Sequence, residues 1–119
     1  MRRWARVGHG VIGWMLLLGI LVQFYAAGLM IYGAPLLHQL LGYVILLVAV
    51  VWTILGAVAA GWGTETKTGL ALVVVLVLQP IFVFVLATQS RYLGALHPVN
   101  GLVAFTIVVA FIARERANV

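Results

Sequence analysis

The chain has 119 residues, of which 66% are hydrophobic and only 8% are charged. A soluble domain carries about 45–50% apolar and about 25% charged residues, so this composition excludes a soluble enzyme, a disordered chain and a nucleic-acid-binding domain. The net charge of +5 comes from few residues near the chain ends and loops, which is a topology signal. The absence of cysteine excludes disulfides, iron–sulfur clusters and covalent c-type haem. The class that remains is an integral membrane protein forming one domain over residues 1–119, with the lipid bilayer covering its apolar surface.

Four apolar segments predict four transmembrane helices, at approximately residues 9–33, 36–61, 69–89 and 94–113. A span needs about 20 residues, and each segment is adequate. The first segment follows a basic start but is longer than the apolar region of a signal peptide, so we expect a retained anchor. Pro80 lies inside the third segment and predicts a kink there. Because the loops are short, we expect an all-α, up-down four-helix bundle.

Cationic residues set the expected orientation of this bundle. All but one fall on the same side of a four-span arrangement, and Arg91 alone falls on the other side. The positive-inside rule then places both termini in the cytoplasm, with the chain as a multi-pass membrane protein. The cations of the cytoplasmic side are Arg2, Arg3, Arg6, Lys67, Arg114 and Arg116.

The two halves of the chain share a short pattern. Residues 33–42 and residues 94–101 both contain Gly-Ala, then Leu-His, then a Gly four residues after the His. The two histidines are His38 and His97, near the starts of the second and fourth helices. The pattern predicts two tandem helical hairpins that point the same way, although so short a match also arises by chance.

The two histidines are candidate axial ligands of one b-type haem. The second and fourth helices of an up-down bundle are diagonal, and imidazoles reaching inward from both could hold one iron between them near the outer face. Gly42 and Gly101, each four residues after its His, would open a flat slot beside the ring, although a close contact between helices would also use such glycines. The competing interpretation makes each His an interfacial residue or a local cap. His9 lacks a partner His at its own end of the bundle, and we do not expect it to be a ligand.

Helix lengths predict a difference in depth between the two histidines. From His97 to Ala113 is about 24 Å of helix, and from His38 to Gly61 about 34 Å. If both helices end at one plane, the rings lie at different levels unless the longer helix tilts or ends early.

Three polar residues complete the predicted cofactor site. Gln23 and Gln79 are costly in lipid and should face the bundle interior, where each could bond the other, a haem edge, a quinone or water, or simply join two helices. Asn100 could bond a haem propionate or cap the helix near Pro98.

A family resemblance rests on these same residues. Residues 92–101, read Tyr-Leu-Gly-Ala-Leu-His-Pro-Val-Asn-Gly, with His-Gln-Leu-Leu-Gly at residues 38–42, resemble a family of small bacterial four-span membrane proteins catalogued as a domain of unknown function. The resemblance implies the four-helix fold and a place in the bacterial inner (plasma) membrane, and it supplies no activity. The His-x-x-x-Gly pattern is also similar to membrane b-type cytochromes and haem A synthases. Because the chain has one pair of such histidines and not two, it is not expected to hold two haems that carry electrons across the membrane.

The sequence therefore predicts a membrane haem b protein for electron transfer, with haem iron as its metal. Its redox partner would be a quinone, an oxygen species or a larger membrane complex, and a homo-oligomer or such a partner would be needed to carry electrons across the membrane. The alternative is a non-catalytic accessory subunit of a respiratory or photosynthetic complex. A small oligomeric channel is less favoured because the chain lacks Asp and both Glu residues fall outside the predicted core.

Overall fold

The protein is an all-α bundle of four long helices, as the sequence predicts. The computed structural model describes residues 2–117. The long helices are α1 (Arg2–Leu29), α2 (Pro35–Ala60), α3 (Thr64–Ile81) and α4 (Leu96–Ala117). All four, with their short helical extensions, are long and apolar enough to cross a membrane.

The helices pack in the order in which the chain makes them. α1 contacts α2, α2 contacts α3, α3 contacts α4, and α4 returns to contact α1. The diagonal pairs are therefore α1 with α3 and α2 with α4, as expected for an up-down bundle. The longest dimension of the bundle is 45 Å, which matches the thickness of a bilayer with its headgroups, about 40–45 Å.

Tight turns and short helical segments join the long helices. A 3₁₀ turn (Met30–Tyr32) and Gly33, with φ of 86°, lead into α2, and Pro35 occupies its first turn, where a missing N–H leaves nothing unpaired. Gly61, with φ of 69°, ends α2. We call the end of the bundle that holds this loop, the start of α1 and the end of α4 the terminal end, and the opposite end the distal end.

The irregularity predicted at Pro80 takes the form of a π turn. The helix remains regular to Ile81 and then widens over Phe82–Leu86. Because Pro80 has no N–H, the carbonyl of Leu76 loses its intrahelical partner. π turns interrupt helices most often near functional sites. Two short helical segments, Ala87–Gln89 and Arg91–Gly94, then lead to α4.

The packed core lies in the terminal half of the bundle. Its cluster runs from Leu16 and Ile20 through Trp52 to Val108 and Phe111. In the distal half, Ala26 is the only buried residue between positions 21 and 44, and no residue between positions 73 and 103 is buried. The two halves of the molecule therefore differ in packing: one holds nearly all of the fully buried side chains, and, apart from Ala26, the side chains of the other are half-buried or exposed.

Candidate functional site

His38 and His97 meet across the distal half of the bundle. Their ring centroids lie 5.9 Å apart, and the ring planes are inclined by 73°. One ring comes from α2 and the other from α4, the diagonal pair, so the two meet between α1 and α3. Both residues are half-buried. The two histidines that the repeated sequence pattern singled out thus lie close together in the structure.

The difference in depth considered from the helix lengths is absent, because α4 is longer than the predicted fourth span. It continues past Ala113 to Ala117. His97 then stands 20 residues before the end of α4 and His38 stands 22 residues before the end of α2 at Ala60. At 1.5 Å per residue these lengths are about 30 and about 33 Å, which brings the two rings to one level.

Each histidine is held by the glutamine of its own hairpin. Gln23 Nε2 donates to the carbonyl oxygen of His38 (2.8 Å), and the ring Nδ1 of His38 lies 3.3 Å from the carbonyl oxygen of Gln23. In the second hairpin, with the amide turned to satisfy its partners, Gln79 Nε2 donates to the carbonyl oxygen of His97 (3.0 Å), and His97 Nδ1 lies 3.2 Å from the carbonyl oxygen of Gln79. The two hairpins therefore repeat the same reciprocal contact, the interhelical link that was one interpretation of these glutamines.

These contacts bear on which ring nitrogen carries the proton. A backbone carbonyl only accepts, so its contact with Nδ1 favours a hydrogen on Nδ1 and leaves Nε2 with a free lone pair. At His38 the carbonyl is the polar group that Nδ1 meets. At His97 the Gln79 amide nitrogen also lies 2.7 Å from Nδ1 and competes with the carbonyl. The tautomer with its hydrogen on Nδ1 is thus favoured more strongly at His38 than at His97.

The glycines that follow the two histidines make room for the glutamines. A Cβ atom on Gly42 would lie 3.2 Å from Gln23 Nε2, and one on Gly101 would lie 3.2 Å from the side-chain amide of Gln79. The Gly101 N–H also donates to the Gln79 side-chain oxygen (2.8 Å). The His-x-x-x-Gly spacing is therefore explained by an amide that packs against the helix beside the histidine. The flat slot proposed from the sequence stays a prediction.

Asn100 and Phe24 complete the surroundings of the pair. Asn100 Nδ2 donates to the carbonyl oxygen of Val75 (2.7 Å) and so ties α4 to α3, which is neither of the two roles considered from the sequence. The ring of Phe24 packs beside Gly101 and edge-on to Phe105, with centroids 6.3 Å apart. The Gln23 side-chain oxygen is buried without a hydrogen-bond partner. The distal half thus presents two imidazoles, one unpaired acceptor and aromatic walls.

The histidine pair alone would supply two ligands to a metal. Within residues 2–117 there is no cluster of three or more His, Cys, Asp or Glu side chains that could hold an ion. A bare ion would need further ligands from outside the protein, because its preferred coordination is four or more. A metal in a planar macrocycle needs two axial ligands only, which is what this pair offers.

A second cluster, in the terminal half, was missed from the sequence. His9 is 2% exposed, its ring stacks on Trp52 at 4.7 Å, and Phe111 packs edge-on to both. Its Nε2 has no hydrogen-bond partner and faces Gly56, whose Cβ would lie 3.1 Å away. Gly13 gives His9 the same His-x-x-x-Gly spacing as the other two histidines, although the lack of a partner His at this end argues against a ligand role. Here the glycine makes room for the Trp52 indole.

Comparisons with family models, curated proteins and solved structures find no match to this chain. The resemblance to a family of small four-span proteins therefore stays a prediction.

Proposed function

We propose that this membrane protein binds one haem b in the distal half of the bundle, with His38 and His97 as its axial ligands, and that it transfers electrons. The observation that carries the proposal is the separation of the two rings. Two imidazoles on opposite sides of one metal, each with a metal–nitrogen distance of about 2 Å, have centroids about 6 Å apart. The rings of this protein are 5.9 Å apart.

Packing in the distal half supports the proposal. A macrocycle between the rings would lie along the diagonal from α1 to α3, because its plane is perpendicular to the line that joins its ligands. Among residues 21–44 and 73–103, which form the distal half, only Ala26 is fully buried, so the packed core does not extend along this diagonal. Phe24 and Phe105 offer apolar walls of the kind that line cofactor sites.

The surrounding residues prepare the imidazoles for iron. Ligation needs a neutral ring with its lone pair on Nε2, and a hydrogen bond from Nδ1–H to a carbonyl fixes that tautomer and the ring orientation. The carbonyl oxygens of Gln23 and Gln79 occupy the required positions. At His97, ligation favours this carbonyl contact over the contact with the Gln79 amide. When bound, the haem would supply one-electron redox chemistry.

The position of the pair bears on the redox partner. Both rings lie in one half of a molecule that is 45 Å long, so a single haem there exchanges electrons at one membrane face. A quinone, a larger membrane complex or a second copy of the chain would have to accept electrons that cross the bilayer. The family resemblance supports a bacterial inner-membrane protein. The distribution of cations supports an orientation with the terminal end in the cytoplasm and the histidine pair near the outer face.

The deciding experiment is an absorption spectrum of protein purified from haem-replete cells. We expect a Soret band and the sharp α and β bands of low-spin haem after reduction. His38→Ala and His97→Ala should each abolish or shift these bands. His9→Ala is the control, because it removes an imidazole from the other half of the bundle. In the fraction of this variant that circular dichroism shows to be folded, the spectrum should be unchanged. Colourless wild-type protein that is folded by circular dichroism would overturn the proposal.

A further inference from the structure

A groove opens between α3 and α4 at the terminal end of the bundle. It has room of about 390 Å³. Lys67, Thr68 and Arg114 lie at its mouth, and below them the walls are apolar, with Ala71 on α3 and Ile107 on α4. On α4 the lining positions recur every three or four residues, so they form one continuous face of the helix. The groove thus has cationic side chains at its mouth and apolar side chains along its length.

Several observations place the mouth at the level of lipid headgroups. Trp62, which precedes α3, is 72% exposed, and Trp4 is also exposed at this end. Exposed tryptophans mark the membrane interface. From Arg114 to Ile107 the groove descends about 10 Å along the helix, into the depth of the acyl chains.

The charge of this end favours an anionic occupant. The chain carries seven Lys and Arg residues against two Glu, and Arg91 is the one described cation that lies at the distal end. The Arg114 guanidinium stands 5.4 Å from the centroid of the Phe111 ring, which itself lines the groove. This contact holds the charge over the groove. A guanidinium, an ammonium and a hydroxyl are suitable donors to one phosphate group.

We infer that this groove is a specific binding site for an anionic phospholipid. Lys67, Thr68 and Arg114 bind the headgroup phosphate, and the start of one acyl chain packs along Ala71 and Ile107. Basic pockets between transmembrane helices bind anionic lipids in this way. The site is separate from the histidine pair, which lies in the opposite half of the bundle, so the inference does not depend on haem binding.

The test is thermal unfolding in a neutral detergent with added lipid. Phosphatidylglycerol should raise the Tm of the wild-type protein by several degrees more than phosphatidylcholine does, because a ligand that binds the folded state stabilises it. Inorganic phosphate at the same concentration should produce no such rise. The double variant Lys67→Gln/Arg114→Gln should lose the preference for phosphatidylglycerol. Arg91→Gln, which removes a cation from the distal end, should keep it.

A second pair of variants separates a built site from general attraction between charges. Ala110→Phe fills the groove without changing the charge, and it should also abolish the preference. Ala113→Phe, an exposed residue of the same helix that does not line the groove, should preserve it. Equal stabilisation by both lipids, protection by inorganic phosphate alone, or an unchanged preference in Ala110→Phe would overturn the inference. A purified dimer in which this groove is the interface between copies would overturn it as well.

Discussion

The ring of His9 lies flat on the indole of Trp52, with centroids 4.7 Å apart and ring planes only 4° from parallel. A hydrogen bond from Trp52 Nε1 to the carbonyl oxygen of His9 (2.9 Å) also joins the two residues. One residue belongs to α1 and the other to α2, and Phe111 of α4 packs edge-on against both. Three of the four helices are therefore joined at one aromatic cluster in the terminal half.

This cluster should dominate the stability of the bundle. Trp52→Phe removes the indole hydrogen bond and part of the packing, and we expect it to lower the free energy of unfolding by about 1–3 kcal/mol. Unfolding in mixed detergent micelles, followed by circular dichroism, measures this change. Trp62→Phe is the matched control: the side chain is exposed, and its replacement should cost less than about 0.5 kcal/mol. Equal losses in the two variants would contradict the assigned role.

Gly69 marks the closest approach of α3 to α2. A Cβ there would lie 2.5 Å from Thr53 Oγ1 and 2.9 Å from Thr53 Cα. Because the second of these atoms is backbone, the helices would have to separate, and we expect Gly69→Ala to destabilise the protein by about 1–3 kcal/mol. Gly28→Ala serves as the control, since a Cβ at Gly28 meets no atom within 4 Å. That control should be neutral or slightly stabilising because alanine favours helix. Similar melting temperatures for the two variants would show that the close approach is wrong.

The pairing of glycine with glutamine predicts a coupling between their substitutions. In Gly101→Ala the new methyl group displaces the Gln79 amide, and the fold should lose about 1–2 kcal/mol. In a Gln79→Ala background the same substitution should cost less, so a double-mutant cycle should give a coupling of about 0.5–2 kcal/mol. Gly42→Ala with Gln23→Ala should repeat the result in the first hairpin. Strictly additive losses would show that the amide does not occupy the space beside the glycine.

The same variants distinguish two roles of Gly101 toward a bound haem. If the glycine makes room only for the amide, the double variant Gln79→Ala/Gly101→Ala should retain the reduced haem spectrum. If the macrocycle itself lies against the glycine, the band positions should change even with the amide removed. The absorption spectrum, together with the haem content per protein, reads out the difference.

The orientation in the membrane can be tested because the chain lacks cysteine. Gln89→Cys and Thr64→Cys introduce single thiols at exposed positions of the distal and terminal ends. A membrane-impermeant maleimide applied to intact cells should label Gln89→Cys, and it should label Thr64→Cys only after lysis. The reverse pattern would place the terminal end outside and contradict the positive-inside argument.

The fold could be predicted from the sequence because its signals are local. Four apolar segments and short loops predict an up-down bundle. The repeated Leu-His pattern identifies His38 and His97 as the two residues that meet across it. The predicted fourth span ends at Ala113, where the apolar run ends, and the charges that follow do not end the helix. A helix continues through Arg114 to Ala117, since charged residues have good helix propensity.

Other parts of the structure depend on contacts between distant residues. Nothing local distinguishes a glycine that receives an amide from one that receives a cofactor, so the neighbours of Gly42 and Gly101 could not be predicted. The burial of His9 arises from Trp52 and Phe111, which lie on two other helices. An isolated His near the start of an apolar segment carries no sign of such neighbours.

The unequal packing of the two halves has a consequence for assembly of the protein. The aromatic cluster and the close contact of α2 with α3 hold the four helices together in the terminal half. These contacts do not depend on anything that lies between His38 and His97. The scaffold therefore needs no ligand to hold its topology. If a prosthetic group binds between His38 and His97, its loss and the unfolding of the bundle should be two separate events, each with its own midpoint on heating.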